Sequence, residues 1–276
     1  MDTPLNRSWP TLLVRQESGV WHVTLNRPEC RNAMSLQMVA DLRAVLAEVE
    51  SRADARVIVL RGAGGHFCSG GDIKDMAGAR ARRAELAEGK GDPTAEVNAA
   101  FGELCVAYAS TGRAVIAVVE GTVMGGGFGL ACAADVVLAD PTASFRLPEV
   151  SLGVVPAQIA PFLVERLGYA HARRLAVTAA HIDASTALSL GLVNEVLAPE
   201  ALTAALQRTV NAVLCNAPGA VAATKKLMAR ARFERPADMV HEAAQVFARA
   251  LYSAEGTEGT AAFVQKRKPA WAPVGA

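Results

Sequence analysis

The stretch from Ala114 to Asp135 constrains this chain more than any other. The apolar run Ala114-Val115-Ile116-Ala117-Val118-Val119 reads as a buried strand. It is followed by Glu120-Gly121-Thr122-Val123-Met124-Gly125-Gly126-Gly127-Phe128-Gly129, and then by small residues that read as a tightly packed helix. Consecutive glycines at such a junction let bare backbone N–H groups approach a bound group closely. The natural occupant is an anion, or an oxygen about to become one.

The unit recurs. Val57-Ile58-Val59-Leu60 reads as a second buried strand, stopped by Gly62-Ala63-Gly64-Gly65 and followed by the glycine-bearing turn His66-Phe67-Cys68-Ser69-Gly70-Gly71-Asp72-Ile73. Upstream, Thr11–Gln16 and Val20–Leu25 flank Glu17-Ser18-Gly19 as a hairpin, and Pro28 rules out a central strand beyond it. From Ser35, a good N-cap, Val39, Leu42, Leu46 and Val49 recur at helical spacing, which predicts an amphipathic helix ending near Arg52. Met76 to Asn98, rich in Ala, Arg, Glu and Gly, is expected to be a mobile, partly helical flap or a solvated surface helix plus loop. Val136–Ala139 predicts a further buried strand. After Pro156 the chain reads as helical apart from a short strand at Leu192–Val196, with Asp183 and Pro218 as helix starts. The change from strand-rich to helix-rich falls near residue 200.

At 276 residues, 51% of them hydrophobic, the chain can bury a sizeable core. A net charge of +1 gives no reason to expect nucleic acid as a partner. The five cysteines form no Cys-x-x-Cys pair, and no histidine sits at zinc-ligand spacing. Reduced thiols, a cytoplasmic location and no metal are therefore expected. Glycines and Asp135 break the longest apolar stretch, so no membrane span is expected.

Three phosphate or acyl-transfer motifs fail on inspection. A Walker loop needs a lysine after the glycines, and none is present. The dinucleotide fingerprint does not match residues 125–129, and Phe67 stands where a nucleophile elbow around Ser69 needs glycine. Two glycine turns, each after a strand, instead suggest two N–H donors converging on one oxygen. A thioester enolate needs such a hole and a carboxylate to move a proton at the neighbouring carbon. Glu149 follows on a rigid Leu147-Pro148 corner; taken alone it reads as a surface carboxylate.

The motifs Phe67-Cys68-Ser69-Gly70-Gly71-Asp72-Ile73, Gly121-x-x-x-Gly125-Gly126-Gly127 and Phe145-x-Leu147-Pro148-Glu149-x-x-x-Gly153 resemble the crotonase (enoyl-CoA hydratase/isomerase) superfamily. So do Asn26-Arg27-Pro28, Arg31-Asn32-Ala33-Met34 and the terminal Phe263 to Pro269. The resemblance spans nearly the whole chain. It implies an α/β fold with a β-β-α superhelical core over residues 1–200 that holds an acyl-CoA site. Residues 201–276 would form a helical region for trimerisation and coverage of CoA, giving a homotrimer or a dimer of trimers. The substrate would be an acyl-CoA thioester, with coenzyme A as part of it and no separate cofactor. The oxyanion-hole N–H groups would belong to Gly71 and Gly126, with Glu149 catalytic. Arg27, Cys30, Asn32, Ala33, Asp72, Ile73 and Lys74 would line the CoA channel. Phe263 and Lys266 would reach the nucleotide end from a neighbouring subunit; alternatively Lys266 is a solvated helix charge.

One position departs from the pattern. Well-known hydratases of this family use two glutamates, and the first would fall on Gly129. Glu149 then works alone, either activating water for attack at carbon 3 or shuttling a proton from carbon 2 to carbon 4. Residues 125–130 and 153–162 resemble bacterial hydratases of glutaconyl-CoA type, which implies hydration of a branched substrate with a distal carboxylate. Arg146, or Arg80, Arg82 and Arg83, are candidate counter-ions for that group. A non-catalytic acyl-CoA-binding protein is the third reading.

Overall fold

The computed structural model describes residues 8–85 and 91–273. Strands β1 (Leu12–Glu17) and β2 (Val20–Leu25) form the expected hairpin, with Leu12 opposite Leu25. Ser18 and Gly19 both have positive φ (48° and 80°), the turn whose twist matches that of the flanking strands. Helix α1 (Leu36–Ser51) begins where expected: the Ser35 hydroxyl accepts the Met38 N–H at 3.2 Å, and Met38, Leu42, Val45 and Val49 are buried. Strand β3 (Val57–Gly62) pairs parallel to β2. Helices α2 (Ile73–Glu85) and α3 (Pro93–Ser110) follow, then β4 (Ala114–Val119), β5 (Thr122–Met124), α4 (Gly126–Cys132), β6 (Val136–Ala139) and β7 (Ser144–Arg146). After a 3-10 turn at Glu149–Leu152 come α5 (Ala160–Thr178), β8 (His181–Asp183), α6 (Ala184–Ser189), β9 (Glu195–Val196) and α7 (Pro199–Leu214). Helices α8 (Pro218–Ala231), α9 (Pro236–Leu251) and α10 (Ala254–Val264) complete the chain.

The main sheet has the order β1-β2-β3-β4-β6-β9 and is parallel beyond the hairpin. Helices α1 and α3 pack one face, while Leu202, Leu206 and Val210 of α7 cover Val57, Val59, Ile116 and Val118 on the other. Burial on both faces is why β3 and β4 read as unbroken apolar runs. A second, smaller stack runs beside the sheet. Met34 bridges Gly71, Cys68 bridges Val123, and β5 pairs with β7, which pairs with β8. Each turn of the chain thus adds one strand to the sheet and one short segment to this stack, the β-β-α superhelix expected of the family.

Two stretches bear comparison with expectation, a partly helical 76–98 and an unbroken helical run after Pro156 up to Leu192. The described part of the 76–98 stretch is α2 and the beginning of α3, with residues 86–90 outside the described set. Strand β8 interrupts a region read as helical. It is a three-residue segment whose buried Ile182 opposes Phe145, too short to leave a periodic signal.

The expected change at residue 200 coincides with the start of α7, but α7 itself belongs to the sheet's packing. The helices that leave the body begin at Pro218. Among the described residues of α8, α9 and α10, Ala262 alone is buried. Lys225 ties α8 to the core: its Nζ donates to the Arg113 carbonyl at 2.7 Å and to Asp135 Oδ2 at 2.6 Å. Among the described residues no helix is long and apolar enough to cross a membrane.

Candidate active site

Stacking of successive turns brings the two glycine turns together. Cys68 N–H donates to Thr122 O at 3.0 Å and Met124 N–H to Cys68 O at 2.9 Å, so the 66–71 and 121–126 segments run side by side. Gly125 N–H then reaches Arg146 O on the third turn at 3.1 Å. Gly71 and Gly126 both line one cavity of about 580 Å³, together with Glu149. Neither glycine's N–H has a hydrogen-bond partner among the described residues. Gly126 is also the first residue of α4, where the helix N-terminus adds to the positive potential of its own N–H.

The three consecutive glycines serve different contacts. Gly125 holds φ 46° and ψ −120°, and a Cβ there would lie 3.0 Å from Glu149 Oε1. A Cβ on Gly126 would meet Phe101 Cζ at 3.1 Å, and one on Gly127 would meet Cys68 Cβ at 2.6 Å. The first admits the carboxylate, the second an aromatic cavity wall, and the third close packing of α4 on the neighbouring turn.

Glu149 opens the 3-10 turn, which Gly153 closes with φ 73°, and Val154 N–H returns to Glu149 O at 3.0 Å. The backbone is thereby fixed on both sides of the carboxylate. Its Oε2 is buried and has no hydrogen-bond partner among the described residues. Burial raises the Glu149 pKa above the ordinary glutamate value, only partly opposed by its own backbone N–H.

Gly129 gains a physical explanation. A Cβ there would lie 2.1 Å from Ile159 Cγ2 and 2.7 Å from Ile159 Cβ. Ile159 is buried, so the space in which a side chain at 129 would begin is filled.

The remaining expected residues fall into two groups. Arg27 pairs with Asp72 at 2.8 Å and donates to Ala33 O at 2.6 Å, joining the 27–33 turn to the start of α2. Burial acts to raise the Asp72 pKa, but the Arg27 bond and the Lys74 N–H outweigh it and hold it below the usual carboxylate range. Asp72 lines the cavity, while Ile73 and Lys74 are exposed beside it and Cys30 is half-buried. Asn32 is a correction to the expected channel lining. It is fully buried, accepts the Arg27 N–H at 2.8 Å and donates to Ala63 O and His66 O at 2.9 and 2.7 Å. Its amide is used up in pinning the 27–32 turn to the 63–66 segment. Phe263 and Lys266 lie exposed at the end of α10 and do not line this chain's cavity.

None of Arg80, Arg82, Arg83 and Arg146 lines the cavity. Arg83 pairs with Asp92 at 3.6 Å, and Arg146 donates to Ala179 O at 3.1 Å. The charged groups on the described cavity wall are Asp72, Asp75, Asp92 and Glu149, all acidic. Asp75 is committed to the fold, accepting the Leu36 N–H at 2.7 Å. The sequence reading missed the wall supplied by α3 and did not see that Ile159 fills the space at Gly129. The available signal was Gly102, an isolated glycine inside a helical pattern.

Comparison with known proteins agrees with this geometry. The family model for enoyl-CoA hydratase/isomerase matches residues 15–273. Pseudomonas aeruginosa AtuE superposes with a TM-score of 0.90 at 51% identity, over 95% of this chain and 100% of that one. An enoyl-CoA hydratase/isomerase from Marinobacter aquaeolei gives 0.90 at 49%, over 95% and 99%. The short-chain-enoyl-CoA hydratase of Clostridium acetobutylicum is 30% identical across 93% of this chain and 95% of its own length. With its glycine turns stacked and its fold shared at this level, the chain belongs to the enoyl-CoA hydratase/isomerase family.

Proposed function

We propose that this protein hydrates a branched, glutaconyl-type enoyl-CoA thioester, with Glu149 as the single acid–base group. The observation that carries the reading is the buried, unpartnered Glu149 Oε2 in the cavity that Gly71 and Gly126 also line. Glu149 takes a proton from water as its oxygen attacks carbon 3, and electron density moves through carbons 2 and 1 onto the thioester oxygen. The two glycine N–H groups hold that oxygen, each contributing about 3 kcal/mol as charge develops. Glu149 then returns the proton to carbon 2, so one water adds across the double bond. A raised Glu149 pKa suits both halves of this cycle, since the group accepts and then gives up the same proton.

In this reading Arg27, Cys30, Ala33, Asp72, Ile73 and Lys74 border the CoA channel. Phe263 and Lys266 meet the nucleotide end of a neighbouring subunit's substrate in a trimer or dimer of trimers. The exposed apolar side chains of α9, Val240 and Phe247 among them, support such an assembly.

The filled space at Gly129 motivates a second reading, a Δ3-Δ2 enoyl-CoA isomerase that needs one base only. Incubation of 2-enoyl and 3-enoyl thioesters in H2-18O separates the two. Heavy oxygen at carbon 3 is the expected result; double-bond migration without it would overturn hydration.

A further inference from the structure

A glycine in the middle of α3 is unfavourable by about 1 kcal/mol relative to alanine, so Gly102 calls for a packing reason. Gln158 supplies it. A Cβ at Gly102 would lie 2.1 Å from Gln158 Oε1 and 2.7 Å from its Cδ, so the amide lies directly on the bare helix backbone. Its Nε2 donates to Asn98 Oδ1 at 2.9 Å. Asn98, Phe101 and Gly102 are spaced i, i+3 and i+4, so they share one face of α3. That face, with Gln158 against it, is a wall of the cavity holding Glu149.

Position along the helix gives the distance scale. Phe101 abuts Gly126, hence the oxyanion site, and Asn98 lies three residues earlier, about 4.5 Å along the helix axis. Gln158 follows Glu149 beyond β7, and the Gly71 and Gly126 turns stack between that segment and residues 27–34, so the amide pair lies on the side of the thioester carbonyl away from the expected CoA channel, toward an acyl chain. Around it the wall is apolar, with Val97, Val154, Val155, Pro156 and Ile159. One amide–amide bond leaves the pair with further N–H donors, and Asn98 is exposed and Gln158 half-buried on this wall. No cation lines the cavity among the described residues, and of its neutral donors the two amides stand beside this apolar stretch, while the Ser35 hydroxyl caps α1.

We infer that the Asn98–Gln158 pair, admitted by Gly102, determines specificity by hydrogen-bonding an acceptor oxygen on the distal acyl chain. The oxygen belongs to a carboxylate or to an ester carbonyl, and a plain alkyl branch leaves the pair's donors unmatched. The inference rests on the acyl-CoA reading of the site and supplies the element that the arginines do not.

Binding of saturated analogues tests it without requiring turnover. Calorimetry would compare 3-methylglutaryl-CoA, its distal methyl ester and 3-methylhexanoyl-CoA on the wild type, Gln158→Leu and Gly102→Ala. The wild type is expected to bind one or both oxygen-bearing thioesters about tenfold more tightly than the alkyl one, as for a charge-assisted or neutral hydrogen bond gained. Preference for the free acid over the ester assigns the oxygen to a carboxylate, and equal preference to a carbonyl. Both substitutions should remove the preference while leaving alkyl affinity within about twofold. Gly102→Ala keeps the amide but displaces it, and suits a helix, so it covers the case in which Gln158→Leu misfolds. Equal binding of all three ligands by the wild type, or a loss shared equally among them in both variants, would overturn the inference. Failure of the hydration reading is seen separately, as double-bond migration without heavy oxygen at carbon 3.

Discussion

Burial without a partner sets Glu149 against the fold that carries it, and the sign of that conflict is testable. Its pKa is raised in the folded state, so the native protein binds the extra proton more readily than the unfolded chain. The associated stability is fully present below the unfolded pKa and is lost as pH rises through the folded one. At neutral pH, Glu149→Gln should therefore melt higher than the wild type. The gap should close in acid, where the wild-type carboxyl is also neutral. Melting curves across pH check this; a destabilised Gln variant at neutral pH would count against the burial argument. In the same variant, hydration should fall about a thousandfold, as for a lost general acid–base group. The acid limb of the wild-type rate profile should lie above the ordinary glutamate pKa. Gly129 makes a second residue-scale prediction. Gly129→Glu alone should destabilise by about 1–3 kcal/mol, since Ile159 leaves no room for its Cβ. Pairing it with Ile159→Ala should recover part of that loss, measurable by denaturant unfolding. The sequence shows that no carboxylate stands at 129, but only the fold shows that the space is taken.

At the scale of elements, legibility followed burial. Strands β3 and β4 were plain because both faces are covered, and α1 was plain because its stripe and its Ser35 cap agree. Strand β8 and the start of α3 were not, one being three residues long and the other following a glycine- and arginine-rich segment. The glycine turns were legible as places of close approach, and the fold brings Gly71 and Gly126 to one cavity. Asn32 misled because its role in the channel came from resemblance, whereas its buried amide holds Ala63 and His66. The junction of α8 with the core was invisible in sequence, since it depends on Lys225 reaching Asp135 across 90 residues. Lys225→Met should destabilise this docking by about 1–3 kcal/mol, the cost of leaving a partly buried carboxylate without its cation. Hydrogen exchange should then rise in α8 more than in α1; uniform protection would contradict the assigned tie.

For the whole molecule, the helices beyond Pro218 are the least buried part among the described residues. Phe247 is 69% exposed on α9 and borders an apolar groove of about 950 Å³ shared with α8 and α10. Phe247→Glu should convert the proposed trimer or hexamer to monomer by light scattering, because a charge cannot be buried unpaired in an apolar contact. CoA affinity should fall with it if Phe263 and Lys266 serve a neighbour's site; an unchanged mass would place the interface elsewhere. The superhelical stacking carries a different consequence, for which lengths of chain this protein tolerates. Gly71, Gly126 and Glu149 come from three successive turns, held in register by the bonds between residues 68, 122–125 and 146. One residue added between 66 and 71, or between 121 and 126, advances one donor past the other and flips the side chains that follow it. Connections outside these stacked segments, such as the one between α8 and α9, carry no such register. Insertions and deletions should therefore accumulate there and be absent from the stack, so loop length across related chains becomes a record of where the three turns must stay aligned.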